Sequence, residues 1–371
     1  MVTVCRGICA SVSETKRPAV WSPMRRPLSR RRPETMAAGF RRLGLIGLGL
    51  IGSSIALAAR RAGVADEILG YARSPETRAT VRRLGFCDRV CESAAEAVEG
   101  ADCVVVCVPV GASGQVADTI APALAPGAIV TDVGSVKASV VAAMASRLPA
   151  HVHFVPGHPL AGTEHSGPEA GFAELFDNRW TILTPLPEAN AEATARLSAF
   201  WQALGARVAE MAPEHHDLVL AVTSHVPHAI AYTMVGVADD LARVTDSEVV
   251  QFSAAGFRDF TRIAASDPVM WRDVFLNNRE ATLDILGRFT EELYELRRAI
   301  RTNDGPWLEA YFTRTRAIRR SIIEAGQDTA APDFGRGAAV TAAPDEPTLQ
   351  AGAAAGGGAD IGAGSTRRAG G

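Results

Sequence analysis

From residue 42 to about 184, short apolar, β-branched runs alternate with stretches in which apolar residues recur every three to four positions. A period of two giving way repeatedly to one near 3.6 predicts strands and helices in turn, the pattern of a doubly wound parallel sheet. Leu43-Gly44-Leu45-Ile46 reads as the first strand; Ile51, Ile55, Ala58, Ala59 and Ala62 line one face of the following helix, which Gly63 ends. Ile68-Leu69-Gly70-Tyr71 reads as the second strand, and Ser74-Pro75 supplies an N-cap and first-turn proline for the next helix. Residues 103–110 and 128–132 read as central strands, with His153-Phe154-Val155-Pro156 and Thr181-Ile182-Leu183 extending the same sheet.

After about residue 190 strand signals become few and helical periodicity takes over, through 191–204, 214–241 and 273–325. The pattern therefore predicts an α/β chain: an N-terminal Rossmann-type doubly wound parallel sheet in residues 42–190 and a C-terminal all-helical domain in 191–326. The helices carry more apolar surface than they can bury alone, so this domain is expected to pack against a second copy. Beyond residue 326 Ala, Gly and Pro dominate, and 327–371 is expected to be a disordered tail.

With 47% hydrophobic and 21% charged residues in 371, the chain has the composition of a soluble two-domain protein. The net charge of −3 hides a basic leader: residues 1–42 hold ten Arg or Lys against Glu14 and Glu34. That leader lacks the apolar core of a secretory signal and any clear amphipathic period; disorder without function is expected for 1–41, and Met36 is a candidate true start. No run of ~18 apolar residues occurs, so a membrane span is not expected, and nucleic acid is not an expected partner either. The cysteines fall in three pairs spaced by four, yet Cys103 and Cys107 lie in an extended pattern where four residues span roughly 13 Å, beyond disulfide reach. Small core residues in a reducing, cytoplasmic compartment are the better expectation.

Gly47-Leu48-Gly49-Leu50-Ile51-Gly52 follows a strand and opens a helix, the context that makes G-x-G-x-x-G a dinucleotide fingerprint. Gly47 suits the tight turn, Gly49 the approach of backbone to a pyrophosphate, and Gly52 close helix–strand packing; the helix N-terminus attracts the phosphates. An acid at the end of the second strand would select NAD, but the chain has Tyr71-Ala72-Arg73-Ser74, and Arg73 and Ser74 could contact a 2′-phosphate. The cofactor expectation is NAD(P). Arg73 stacked on adenine or pointing into solvent is the alternative.

His158 lies in a Gly-His-Pro turn after a strand, where an imidazole would face the carboxyl end of the sheet and its ligands. Ser135, in Asp132-Val133-Gly134-Ser135-Val136-Lys137, also follows a strand; its hydroxyl either fixes the tautomer of His158 or caps a helix, or both.

These segments resemble the prephenate and arogenate dehydrogenases, most closely the bacterial cyclohexadienyl type. The motifs occur in the family's order: Gly47 to Ser54, Cys107-Val108-Pro109-Val110, Asp132 to Lys137, Gly157-His158-Pro159-Leu160-Ala161-Gly162-Thr163-Glu164, Ser224-His225-Val226-Pro227-His228 and Asp259-Phe260-Thr261-Arg262-Ile263-Ala264. The likeness covers roughly residues 42–325. It implies an NAD(P)-dependent oxidative decarboxylation of prephenate or arogenate by a homodimer. By the family's pattern His158 takes the hydroxyl proton, Ser135 orients it and contacts the hydroxyl, and Arg262 binds a substrate carboxylate. Thr163, Glu164, His225 and His228 line the substrate, Trp271 closes the pocket, and Val108 and Pro109 join the fingerprint around the cofactor. A neutral imidazole and a permanently charged guanidinium suit those tasks.

Without the resemblance, Arg262 reads as an i, i+3 partner of Asp259 and Trp271 as packing. Glu214-His215-His216-Asp217 has the make-up of a metal cluster, but the group opens a helix after Pro213, where acids favour the dipole. Metal is expected neither there nor at His225 and His228, whose i, i+3 spacing differs from the i, i+4 of metal-binding helices. Two rivals stand against the dehydrogenase: a β-hydroxyacid dehydrogenase, which would place a catalytic lysine in the helical domain, where none follows Lys137, and a dinucleotide sensor that has lost its chemistry.

Overall fold

The computed structural model describes residues 39–163, 165–242 and 255–324. The expectations for the leader, the tail and Glu164 lie outside the described residues. By backbone packing the chain divides into two compact units, Met1–Glu292 and Leu293–Gly371.

In the first unit, β1 (Phe40–Ile46), β2 (Ala65–Tyr71), β3 (Arg89–Val90), β4 (Cys103–Val106), β5 (Ile129–Asp132) and β6 (His153–Phe154) form a parallel sheet ordered β3-β2-β1-β4-β5-β6. Alternation along the strands feeds a core on each face. Leu43, Leu45, Ile68, Cys103, Val105 and Ile129 enter one cluster, while Ile46, Leu69, Val104, Val106 and Val130 enter the other. The helices α1 (Leu50–Ala62), α2 (Pro75–Leu84), α3 (Ala94–Val98), α4 (Ser113–Ile120) and α5 (Ala138–Met144) make the crossovers. The order reverses between β1 and β4, which places a ligand crevice at the carboxyl ends of those strands.

Two strand expectations change. The strand expected over 103–110 stops at Val106: Pro109 has no N–H for a ladder, and a 3₁₀ turn follows at Val110–Ala112. His158 sits in a strand, not a turn. β7 (Gly157–Pro159) pairs antiparallel with β8 (Trp180–Leu183), which pairs in parallel with β9 (Arg207–Glu210), so β8 extends a second sheet of its own. Strand β9 also carries strand structure past residue 190, beyond the long helix α6 (Ala191–Ala203).

The expected helix over 214–241 forms as α7 (Pro213–Leu220), a π-helical turn (Ala221–His225) and α8 (Val226–Ala242). Pro227 has no N–H to give the carbonyl four residues back, and its ring crowds that carbonyl, which accounts for the widened turn. By length and composition Pro213–Asp240 could cross a membrane, although its fully buried residues include His216 and His225. The helix expected over 273–325 is divided into α10 (Pro268–Asn277), α11 (Arg279–Arg301) and α12 (Gly305–Ile322), preceded by the short α9 (Ala255–Thr261). Asn278, with φ −111°, breaks the first pair; Asn303, with φ +54°, and Pro306 break the second.

The second unit holds the end of α11 and α12. Asp304 caps α12 by accepting from the N–H of Trp307 at 3.1 Å, and Trp307 stacks on Tyr311 at 5.0 Å.

Candidate active site

The loop after β1 has the shape that each glycine of Gly47-Leu48-Gly49-Leu50-Ile51-Gly52 is expected to give it. Gly47 has φ +100°, and a Cβ there would lie 2.3 Å from the carbonyl oxygen of Cys107. A Cβ on Gly52 would lie 2.0 Å from the Gly47 oxygen, whereas one on Gly49 meets nothing within 4 Å. Gly49 is thus the open side of the cradle. Helix α1 starts beside it with no side-chain cap and no acid in its first turn, so the free N–H groups of its first turn suit a pyrophosphate. Leu48 is buried beneath the loop, Leu50 and Ile51 are partly buried, and Val108 faces Gly47 across the crevice, its Cγ1 3.2 Å from the position of that added Cβ, with Pro109 next to it.

At the tip of β2, Arg73 is exposed and Ser74 is engaged: it caps α2 by accepting from the N–H of Thr77 at 3.2 Å and donates to the Glu76 carboxylate. That hydrogen bond holds Glu76 below the usual carboxylate range. The tip therefore carries an anion after all, from the first turn of the helix and not from the strand.

His158 is 8% exposed. Its main chain is fixed through its neighbour: the buried pair Asp132–Lys137 grips Gly157, Lys137 Nζ donating to its carbonyl at 2.7 Å and Asp132 Oδ1 accepting its N–H at 3.3 Å. Its ring Nδ1 lies 2.9 Å from Nε2 of His216, whose Nδ1 lies 2.8 Å from Oδ1 of Asp217. Among the described residues Nε2 of His158 has no hydrogen-bond partner. Burial first, then the charges of His216, Lys137 and His225, hold His158 well below its ordinary 6.5. His216 is also lowered by burial, against the hydrogen bond to Asp217.

Asp217 has a second task. Its carboxylate accepts the N–H of Lys137 at 2.7 Å and of Ala138 at 2.9 Å, capping α5 from a distant part of the chain. Ser135 is not that cap, and Nδ1 of His158 is held by His216, not by the Ser135 hydroxyl; Ser135 lies in the same turn, half-buried.

The main-chain carbonyl of Asp217 accepts from Asn278 Nδ2 at 2.8 Å, and the same amide lies 2.9 Å from Nδ1 of His225. Because the amide nitrogen only donates, Nδ1 of His225 is the acceptor and the proton sits on Nε2. That N–H is buried with no hydrogen-bond partner, as is Nε1 of Trp271. Burial lowers His225 to about 4 against the pull of the Asp217 charge; the nearby Ser135 main chain opposes it less, without closing a bond of normal geometry. Two orphaned donors in one cluster are costly unless a ligand supplies acceptors.

His228 donates from Nδ1 to the Ser224 carbonyl at 2.8 Å and stacks on Trp271 at 3.7 Å, with His225 edge-on to the same indole at 6.0 Å. Burial lowers His228, and the positive charge of Arg262 lowers it further. Arg262 opens a 3₁₀ turn (Arg262–Ala265) and is exposed. The structure thus gathers His158, His225, His228 and Trp271 with Arg262 near His228, all within one unit. Thr163 is exposed, its hydroxyl accepting from the N–H of His165 at 3.2 Å.

His216, Asp217 and Asn278 are the residues that sequence reasoning missed as parts of the site. The run Glu214-His215-His216-Asp217 is conspicuous in the sequence, but its make-up points to a metal site and not to a relay to His158; Asn278, at a helix junction, carries no signal.

The model of the prephenate dehydrogenase nucleotide-binding domain matches residues 55–210, and that of the prephenate dehydrogenase dimerization domain matches residues 212–314. The chain is 43% identical over 283 residues to cyclohexadienyl dehydrogenase of Zymomonas mobilis, covering 76% of this chain and 96% of that protein. It is 35% identical over 279 residues to prephenate dehydrogenase of Bacillus subtilis, covering 75% of each. Among solved structures it is similar to prephenate dehydrogenase from Aquifex aeolicus in complex with hydroxyphenyl propionate and NAD+, with a TM-score of 0.71 and 33% identity over 76% of this chain and 98% of that one. A Synechocystis arogenate dehydrogenase aligns with a TM-score of 0.64 and 26% identity over 76% of this chain and 99% of that one.

Proposed function

The chain belongs to the prephenate dehydrogenase family, and from that premise we propose that His158 is the proton acceptor in an NAD(P)-dependent oxidative decarboxylation of prephenate to 4-hydroxyphenylpyruvate. The carrying observation is a neutral imidazole with Nδ1 occupied and Nε2 without a partner among the described residues, beside two orphaned donors. A low affinity for protons before substrate arrives keeps the base ready at neutral pH.

The cofactor, when bound, supplies the hydride acceptor. His158 Nε2 takes the proton of the ring 4-hydroxyl as hydride leaves the same carbon. The ring carboxylate then departs as carbon dioxide, its bonding pair flows into the ring, and the proton returns to the oxygen of the new phenol. Arg262 holds a substrate carboxylate, the N–H groups of His225 and Trp271 supply donors to substrate oxygens, and His228 stacked on Trp271 walls the pocket. Ser135 contacts the hydroxyl, and Thr163 lines the substrate site.

Residues 42–190 with β9 form the cofactor half, and the helices α7 to α10 contribute the substrate half. The dimer forms through those helices and α11, where Val237, Leu276 and Leu283 are each more than half exposed; light scattering at a twofold monomer mass is the check. The reaction belongs in the cytoplasm, to which free thiols at Cys87, Cys91, Cys103 and Cys107 are suited.

Steady-state assays with prephenate and arogenate, each with NAD and NADP, test the assignment. Turnover of prephenate is expected, with His158→Asn lowering kcat by about 10²-fold or more and leaving cofactor affinity nearly intact. Unchanged kcat in that variant would place the base elsewhere.

A further inference from the structure

The proton acceptor works only if its lone pair is on Nε2, and a neutral imidazole can carry its proton on either nitrogen. We propose that His216, held by Asp217, is a positioning residue that fixes this tautomer; the proposal rests on the role of His158 given above. A carboxylate only accepts hydrogen bonds, so at 2.8 Å from Asp217 Oδ1 the Nδ1 of His216 must carry the proton. His216 is neutral, burial having lowered its affinity for a second proton, so its Nε2 is a lone pair. Facing that lone pair at 2.9 Å, His158 Nδ1 must donate, and the remaining lone pair of His158 is on Nε2.

The opposite arrangement turns both rings' protons round and sets the Nδ1 lone pair of His216 against the Asp217 carboxylate. It replaces a charge-assisted hydrogen bond by a repulsion between two acceptors in a buried site. The Asp217 carboxylate itself accepts the N–H groups of Lys137 and Ala138 at the start of α5, so this chain of hydrogen bonds is anchored on main-chain donors. The orientation is also the right one after proton transfer. Once His158 is protonated, its Nδ1–H still donates to His216, and the Asp217 charge is aligned to stabilise the imidazolium.

The test uses the full-length protein labelled with ¹⁵N-histidine, the His158 signals being assigned by their loss in His158→Asn. The expected spectrum has a protonated Nδ1 and an unprotonated Nε2 on His158; the reverse would overturn the proposal. His216→Leu removes the acceptor and is expected to lower kcat by about 10²-fold, with KM and cofactor affinity changed less than about threefold. His216→Gln, which restores an acceptor oxygen, is expected to recover at least about tenfold of that loss, which a merely structural role would not separate. A His216→Leu enzyme with wild-type kcat sinks the idea, and if that variant does not fold the wild-type spectrum still decides. Absence of wild-type turnover on either substrate would instead refute the function itself.

Discussion

Lys137 donates from Nζ to the carbonyl of Gly157, the residue before His158, at 2.7 Å. Both Lys137 and its ion-pair partner Asp132 are buried, at 0% and 1% exposure, and burial lowers the lysine against the pull of Asp132. The pair holds the His158 strand against the end of β5. Removing one charge leaves the other stranded, so Lys137→Met is expected to destabilise the protein by about 3–5 kcal/mol, while Asp132→Asn with Lys137→Met recovers much of that loss. Urea unfolding of both variants is the measurement, and a single variant as stable as wild type would show that the pair does not hold this strand.

His158, His216, His225 and His228 are all lowered in the folded protein. Their unfolded counterparts take up protons near 6.5, so below that pH the unfolded chain binds more protons than the native one. The sign follows: stability from these groups is fully present above pH 6.5 and is lost as pH falls toward the folded values. His225 alone, at about 4, accounts for about 3 kcal/mol across that window. Denaturation midpoints measured from pH 7.5 to 4.5 should fall, and His225→Asn, whose side chain does not titrate, should show a shallower slope. Equal slopes would mean that His225 is solvated and titrates normally.

The alternation of strands and helices and the glycine cradle are legible because each element carries its own period and each glycine its own local constraint, whereas the order β3-β2-β1-β4-β5-β6 and the separate sheet that holds β8 emerge only in the fold. Residues 103–110 read as one strand because the apolar run continues unbroken to Val108, but Pro109 has no N–H for a ladder and the strand ends at Val106. The partner of His158 was not legible, because 58 residues separate it from His216 and only the fold brings them together. Ser135, nearer in sequence and able to offer a hydroxyl, is the partner that the sequence suggests in its place. The junction at Asn278 was hidden for a different reason: helical periodicity continues on both sides of it.

Gly49 and Gly52 should behave oppositely when enlarged to alanine. At Gly52 the new methyl would meet the Gly47 carbonyl at 2.0 Å, so Gly52→Ala is expected to cost about 1–3 kcal/mol of stability. At Gly49 it meets nothing of the protein within 4 Å, and the stability cost should stay below about 1 kcal/mol, yet the methyl occupies the space a pyrophosphate needs. NAD affinity of Gly49→Ala, followed by calorimetric titration, should weaken about tenfold or more. Wild-type affinity would move the phosphates away from this loop.

Glu76 should favour NAD over NADP. In doubly wound folds the adenosine ribose lies at the carboxyl end of the second strand, and here the first turn of the next helix brings the Glu76 carboxylate to Ser74 at that end. Held anionic by the Ser74 hydroxyl, it can accept a hydrogen bond from a 2′-hydroxyl and repels a 2′-phosphate. Glu76→Gln removes the charge and keeps an acceptor, so kcat/KM with NADP should rise relative to NAD, by about tenfold if the charges approach within direct contact. Arg73, exposed beside Ser74, is then the cation left to meet the phosphate, and Glu76→Gln with Arg73→Ala should lose that gain. A ratio unchanged by Glu76→Gln would show that cofactor choice is made elsewhere on the nucleotide.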